Sequence, residues 1–413
     1  MQSSKTVVLL ATLDTKGDEM RFVKELIEAR GLRTLVVDTG VRGEPAFPAD
    51  VSRAQVAQAA GEDVAALAAA RDRGRAAGVM GQGAASIVAD LHQRGELDGL
   101  LAIGGGTGSS IANPALIALP LGVPKMLVTV RSAIDYRTTL ARKDVTVVYA
   151  VTDILGLNPV LRRILSNAAG AISGMVEQTF AEPPARPLVA VTSFGVTTPA
   201  AMRCRQLLLD HGFEVVVFPA TGTGGLSLEE LIDEGTVQAV LDLTTSELAD
   251  ELCGGSATAG PHRLEAAARR GIPQVVVPGA MDFVNWRDPE QIPARYKDRL
   301  FYYHTPTTAL MRTTAEENAI LGRQVGERVG RSSGPAIVLI PTRGYSDYDQ
   351  EGRVFFDPAA DRAFVDGLRA AIGDRVPIVE IDAHVNDPAF ASTAVTHLVG
   401  LMGERQPDGA SMA

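Results

Sequence analysis

LDGLLAIGGGTGSS, residues 97–110, decides the fold class. A short apolar run, Leu97 to Ile103, enters Gly104-Gly105-Gly106-Thr107-Gly108, and a helical pattern follows. Buried strand, glycine turn, helix is the order of a βα unit in a parallel sheet. Upstream, TVVLLA (6–11) reads as a fully buried strand. Phe22, Val23, Leu26 and Ile27 then keep helical spacing until Gly31, and TLVVD (34–38) is the next strand. Downstream, VPKMLVTV (123–130) is another.

The pattern recurs. LVAVT (188–192), a helix through Met202, Leu207 and Leu208 that opens at Thr198-Pro199 and ends at Gly212, and VVVF (215–218) repeat the first units. Sliding the first repeat along by 181 residues sets Gly31 on Gly212, and Gly122-Val123-Pro124 has its counterpart in Gly271-Ile272-Pro273. The fold class is therefore α/β, with two tandem Rossmann-like domains and mainly parallel sheets. The join is expected in the proline-rich Ala181–Pro187. It divides an N-terminal nucleotide-binding domain, residues 1–183, from a C-terminal domain, residues 184–413, with a second ligand pocket. A strand AIVLIP (336–341), a helix near 359–372, a strand VPIVEI (376–381) and a closing helix complete the second sheet.

Composition narrows the function. The net charge of −10 is the reverse of what a nucleic-acid binder needs to neutralise phosphates. No apolar stretch approaches the ~18 residues of a membrane span, and the N-terminus lacks a signal-peptide pattern, so the cytoplasm is expected. Two cysteines, Cys204 and Cys253, are expected as unpaired thiols. Neither HExxH nor a Cys/His cluster of zinc spacing occurs, nor Gly-Lys-Ser/Thr, nor a Gly-x-Ser-x-Gly elbow. No structural metal site is expected.

Ligands of open parallel sheets bind beyond the carboxyl ends of the strands. Gly105, Gly106, Thr107, Gly108 and Ser109 stand there, ahead of a helix whose first N–H groups lack partners, an arrangement suited to phosphate. The third glycine of a GxGxxG fingerprint is missing, because Ile111 follows Ser110. After the first strand, Asp14 or Thr15 suits a helix cap, Lys16 a phosphate, and Asp14 or Asp18 a magnesium ion held through water. Asp38 ends the second strand, where such folds contact a ribose hydroxyl, and also opens an Asp-Thr-Gly turn.

In the second half, three loops rich in Gly, Thr and Ser (220–225, 244–247 and 278–285) are expected to converge on the second pocket. Ser227 with Glu230, and Thr244 with Glu247, have capping-box spacing. Arg312 suits a bidentate grip on a carboxylate or phosphate, and His304 or Asp282 a proton transfer. Arg343 and His384 are comparable candidates.

LDTKGDE (13–19), GGGTGSS (104–110), FGVTTPA (194–200), ATGTGG (220–225), LTTSELADELCGG (243–255), AGPHRLEAA (259–267), PGAMDFVNW (278–286) and HTPTTALMRTTAEE (304–317) follow in order along the chain. Together they resemble the ATP-binding family typified by the tomato inhibitor of tobamovirus RNA replication, which has many bacterial relatives. The resemblance runs from about Val7 to about Leu401. It implies two Rossmann-like subdomains in one unit, ATP (with Mg2+) in the N-terminal half, and self-association as a homo-oligomer. Nucleotide binding is carried over to GGGTGSS and then to LDTKGDE; inhibition of a virus is not carried over. Three functions fit: an ATP-binding protein, an enzyme acting on a small anionic metabolite in an interdomain cleft, and a non-catalytic nucleotide-dependent sensor or partner-binding module.

Overall fold

The computed structural model describes residues 4–131, 142–180 and 186–403. Most of the expected join, 181–185, lies outside the described residues. The chain divides into two compact units, Met1–Glu182 and Pro183–Ala413.

The first unit runs β1 (Thr6–Ala11), α1 (Leu13–Glu28), β2 (Arg33–Asp38), α2 (Arg53–Ala59), α3 (Val64–Ala70), α4 (Arg73–Gln93), β3 (Gly99–Gly104), α5 (Gly106–Ile117), β4 (Lys125–Thr129), β5 (Val145–Tyr149) and α6 (Pro159–Glu177). Its sheet has the order β2-β1-β3-β4-β5, every pair parallel. Strands β1, β3 and β4 are buried along their whole length because helices cover both faces, which is why they read as unbroken apolar runs. Val7, Leu9 and Leu101 join the core under α1 and α6, while Val8, Leu10 and Leu100 join the core under α2, α4 and α5.

The second unit runs β6 (Leu188–Ser193), α7 (Thr198–Asp210), β7 (Glu214–Pro219), α8 (Thr223–Asp233), β8 (Ala239–Thr244), α9 (Glu247–Cys253), α10 (Ala266–Arg270), β9 (Gln274–Gly279), β10 (Phe283–Trp286), β11 (Phe301–Thr305), β12 (Thr308–Arg312), α11 (Ala315–Val329), β13 (Ala336–Pro341), α12 (Pro358–Ile372), β14 (Ile378–Ile381) and α13 (Pro388–Gly403). Its main sheet, β7-β6-β8-β9-β13-β14, repeats the order of the first and adds one strand. Gly31 and Gly212, aligned by the internal repeat, both adopt left-handed backbone, at φ 87° and 86°. A side chain there would be strained, so glycine marks the same turn in both copies. The antiparallel sheet β10-β12-β11 is an addition that the alternating pattern did not reveal. Helices α11 and α12 touch backbone to backbone: a Cβ on Gly322 would lie 2.0 Å from the Phe364 carbonyl oxygen.

Candidate functional site

In the first unit, the loops after β1, β2 and β3 meet at the carboxyl edge of the sheet around a cleft of ≈ 330 Å³. Asp14, Thr15, Lys16, Gly105, Gly106, Thr107 and Gly108 all line it, so the structure brings together most of the residues singled out by sequence. Helix α5 starts at Gly106 with Gly105 as N-cap and no side-chain cap. Among the described residues, the N–H groups of Gly106, Thr107 and Gly108 have no recorded acceptor, whereas that of Ser109 turns back to the Gly105 carbonyl at 2.8 Å. Gly104 must be glycine, since a Cβ there would stand 2.6 Å from the Gly108 carbonyl carbon. A Cβ on Gly106 would meet nothing within 4 Å.

Two of the expected contacts are internal instead. Asp38 is 2% exposed and does not line the cleft. Its Oδ1 accepts from the amides of Leu13 (3.0 Å) and Gly40 (2.8 Å), and its Oδ2 from Arg53 Nε (2.7 Å). With both oxygens occupied, Asp38 ties the β1 and β2 loops together and does not reach a ribose hydroxyl. Ser109 is likewise buried, its hydroxyl bonded to the Gly104 carbonyl (3.1 Å) and to Thr129 Oγ1 (2.8 Å).

Helix α1 begins at Leu13, so Asp14 and Thr15 lie inside its first turn and neither is the cap, which is Thr12. Asp14 Oδ2 accepts from the amides of Arg42 and Gly43, each at 3.2 Å. Lys16 lines the cleft, and its ammonium donates to the Ile154 carbonyl. Asp18 points to Arg21 at 3.4 Å and does not line the cleft.

Arg42, Arg71 and Arg73, which no sequence motif flags, complete the cleft. All three are exposed, and among the described residues none has a recorded acidic partner. The signal available was the charge run Arg71-Asp72-Arg73-Gly74-Arg75 between two alanine-rich helices. Leu67, Ala76 and Ile111 are buried and supply apolar lining to the same cleft.

In the second unit the three glycine- and threonine-rich loops do converge, but the space between them is filled. Glu247 Oε1 accepts from the amides of Gly222 (2.7 Å) and Gly225 (3.1 Å). Its Oε2 takes a 2.6 Å bond from Arg263 Nε. Arg263 is completely buried and also grips both oxygens of Asp242 at 2.6 Å. Asp250 closes the third loop, accepting from Asn285 Nδ2 (2.8 Å) and from the Ala257 amide (3.0 Å). The expected pocket is thus occupied by the protein's own ions. The capping boxes fall with it: Ser227 lies inside α8 and donates to the Thr223 carbonyl, and Glu247 turns to Gly222 instead of Thr244.

Arg312 is not free to grip a ligand. It is 5% exposed, and its donors go to the carbonyls of Phe355 (2.7 Å) and Asp282 (3.1 Å), to Thr313 Oγ1 (3.1 Å) and to Asp361 Oδ1 (2.9 Å). Asp282 is fully buried, with Oδ2 bonded to Ser346 Oγ at 2.8 Å. Burial first, and then the Asp349 carboxylate, push Asp282 up to about 7, against the pull of Arg312. Both side chains are thus enclosed by partners from the protein itself. His304 is exposed on β11 beside Tyr348 OH (3.1 Å).

Arg343 and His384 do line a cleft of ≈ 490 Å³ beyond the ends of β13 and β14. Arg343 is paired with Asp382 through two bonds of 2.7 and 2.8 Å. Arg362, also in the lining, faces Glu380. His384 contacts the Ser346 carbonyl through Nε2 (2.9 Å) and the Asn386 amide through Nδ1 (3.2 Å). The charges of this cleft answer one another, in contrast to those of the first unit.

Fold and site define a tandem doubly wound α/β protein with a cationic cleft at the first sheet's switch point. The chain belongs to the UPF0261 family: residues 5–181 match "Uncharacterised protein family (UPF0261) N-terminal domain" and residues 186–402 the corresponding C-terminal domain. A UPF0261 protein of Clostridium tetani is 42% identical over 97% of this chain and 99% of its own length. One from Rhizobium meliloti is 41% identical over 95% and 98%. The tomato "ToMV susceptible protein tm-1(GCR26)" is 30% identical over 95% of this chain and 55% of its own length. Family membership, with bacterial relatives and a tomato member, is therefore as the sequence motifs indicated. Among solved structures, a putative UDP-N-acetylglucosamine 2-epimerase from Listeria monocytogenes aligns at 11% identity and a TM-score of 0.23, covering 67% of this chain and 79% of that one. A likeness at that level has no bearing on function. Among the described residues, no helix is long and apolar enough to cross a membrane.

Proposed function

We propose that this protein binds ATP in the N-terminal cleft, with phosphates on the amides of Gly106, Thr107 and Gly108 and the nucleoside against Leu67, Ala76 and Ile111. One observation carries the reading: Lys16, Arg42, Arg71 and Arg73 border the same ≈ 330 Å³ cleft as the uncapped start of α5. Helix N-termini and guanidinium forks both favour phosphate oxygens. Gly106 has open space where a Cβ would be, so internal packing gives no reason for a glycine there, whereas close approach of a ligand does. The choice of ATP among nucleotides follows the family resemblance. Asp14, in the lining, would meet a magnesium ion through water.

The test is calorimetric titration of ATP into the wild-type protein and a Gly106→Asp variant. A carboxylate at position 106 repels the phosphates, and affinity should fall by more than about tenfold. Absence of ATP binding by the wild type, or unchanged affinity in the folded variant, refutes the assignment.

A further inference from the structure

We propose that Arg42, Arg71 and Arg73 grade ligands by the length of their phosphate chain, so that the cleft selects polyphosphates over monophosphates; this rests on the nucleotide reading above and adds the ligand class. The arginines come from two segments, the loop after β2 and the turn joining α3 to α4. Asp14 and Asp72 also line the cleft, but each already accepts backbone N–H groups: Asp14 from Arg42 and Gly43, Asp72 from Arg75 at 3.0 Å. In the cleft of the second unit, by contrast, acids face the guanidinium groups, as Asp382 faces Arg343 and Glu380 faces Arg362. Three like charges gathered without recorded acidic partners repel one another until a polyanion neutralises them.

Space points the same way. Arg42, Ala68 and Arg71 border a second hollow of ≈ 380 Å³ as well as the main cleft. Arg42 and Arg71 thus face open space on two sides, which leaves room for the far end of a phosphate chain. Arg71 adopts left-handed backbone (φ 53°, ψ 16°) as the C-cap of α3, and Asp72 caps α4 directly after it. That turn fixes the origin of both Arg71 and Arg73. A single phosphate is already served by the α5 amides, and Lys16 donates to the Ile154 carbonyl, which leaves the arginine group for the phosphates beyond it.

The experiment titrates AMP, ADP, ATP and inorganic tripolyphosphate into wild type, Arg42→Ala and Arg71→Ala. The variants alter exposed side chains, and melting curves verify their folding. Affinity should rise from AMP to ATP by about tenfold per phosphate, the scale of a charge-assisted bond. Each substitution should weaken ATP about tenfold while changing AMP less than about twofold. Tripolyphosphate should bind the wild type and compete with ATP. Equal affinity for AMP and ATP in the wild type, or equal losses for both in the variants, overturns phosphate counting and leaves nucleotide binding standing. If no nucleotide binds, both fall.

Discussion

Glu247 and Arg263 meet at 2.6 Å, Oε2 to Nε, with both side chains entirely shielded from water. The other carboxylate oxygen of Glu247 accepts from Gly222 and Gly225, glycines of a loop expected from the sequence to line the second pocket. In the second unit an internal carboxylate takes the place that an external anion would take. Burial pushes Glu247 up, and Arg263 and the Gly222 amide work against that rise. Breaking such a pair strands the remaining ion in a medium that solvates it poorly. Arg263→Met should therefore destabilise the protein by ~3–5 kcal/mol, read from urea midpoints. A loss below about 1 kcal/mol would mean that the network contributes little.

Stability should depend on pH through buried acids of the second unit. Burial raises Asp250 and Asp282 to about 7. Burial and the neighbouring Asp349 raise Asp361 to about 8, against Arg312. A carboxyl raised in the folded state holds its proton more tightly than in the unfolded chain. Its contribution is complete below the unfolded value, near pH 4, and is lost as pH rises through the folded value. Urea midpoints should therefore fall between pH 5 and about 8, and Asp361→Asn should flatten part of that slope. A midpoint that climbs over this range would mean that Asp250, Asp282 and Asp361 are already ionised in the folded protein at pH 5.

Gly104 and Gly106 should respond oppositely to alanine. At Gly104 the new Cβ meets the Gly108 backbone at 2.6 Å, so α5 must shift, at a cost of ~1–3 kcal/mol. At Gly106 space is open and the backbone helical, so alanine should stabilise the unliganded protein by ~0.4–1 kcal/mol. Both should weaken ATP, the first by moving the amides and the second by standing in front of them. Thermal melts with and without ATP separate the two effects.

Cys204 and Cys253 should resist thiol reagents in the native protein. Both are buried and unpaired, and burial pushes each thiol up to about 12. The thiolate is the reactive form, so Ellman's reagent should release colour only after denaturation. Reaction of either thiol at the rate of a free cysteine would show that its region opens readily.

The strands and their repeat were legible because a sheet covered on both faces leaves a plain apolar signature, as in TVVLLA and AIVLIP. The glycine turn was legible for a local reason too, since Gly104, Gly105, Gly106 and Gly108 fall within five residues. What a local reading misses is where a long side chain is held. Arg312 looks free in HTPTTALMRTTAEE, yet its partners Phe355 and Asp361 stand more than forty residues later. Arg71 and Arg73 lie far from every glycine turn in sequence, and only the packing of α3 and α4 carries them to the cleft. Glu247 reads as a cap because a spacing of three cannot show that Gly222, on another loop, has a prior hold on it. The β10-β12-β11 sheet escaped notice because its hairpin, Phe301–Arg312, carries exposed polar side chains along one strand.

The two parallel sheets share one strand order over five strands, yet the loops after the first three strands enclose an open cleft in one and the Glu247–Arg263 pair in the other. Ancestral doubling of a fold leaves each copy at liberty to specialise. Where Glu247 and Arg263 plug the crevice, the constraint is internal, so any exchange that keeps the two in register can be absorbed. On the proposed function the open crevice must also suit a guest's outline, and its rim should then tolerate far fewer changes over evolutionary time.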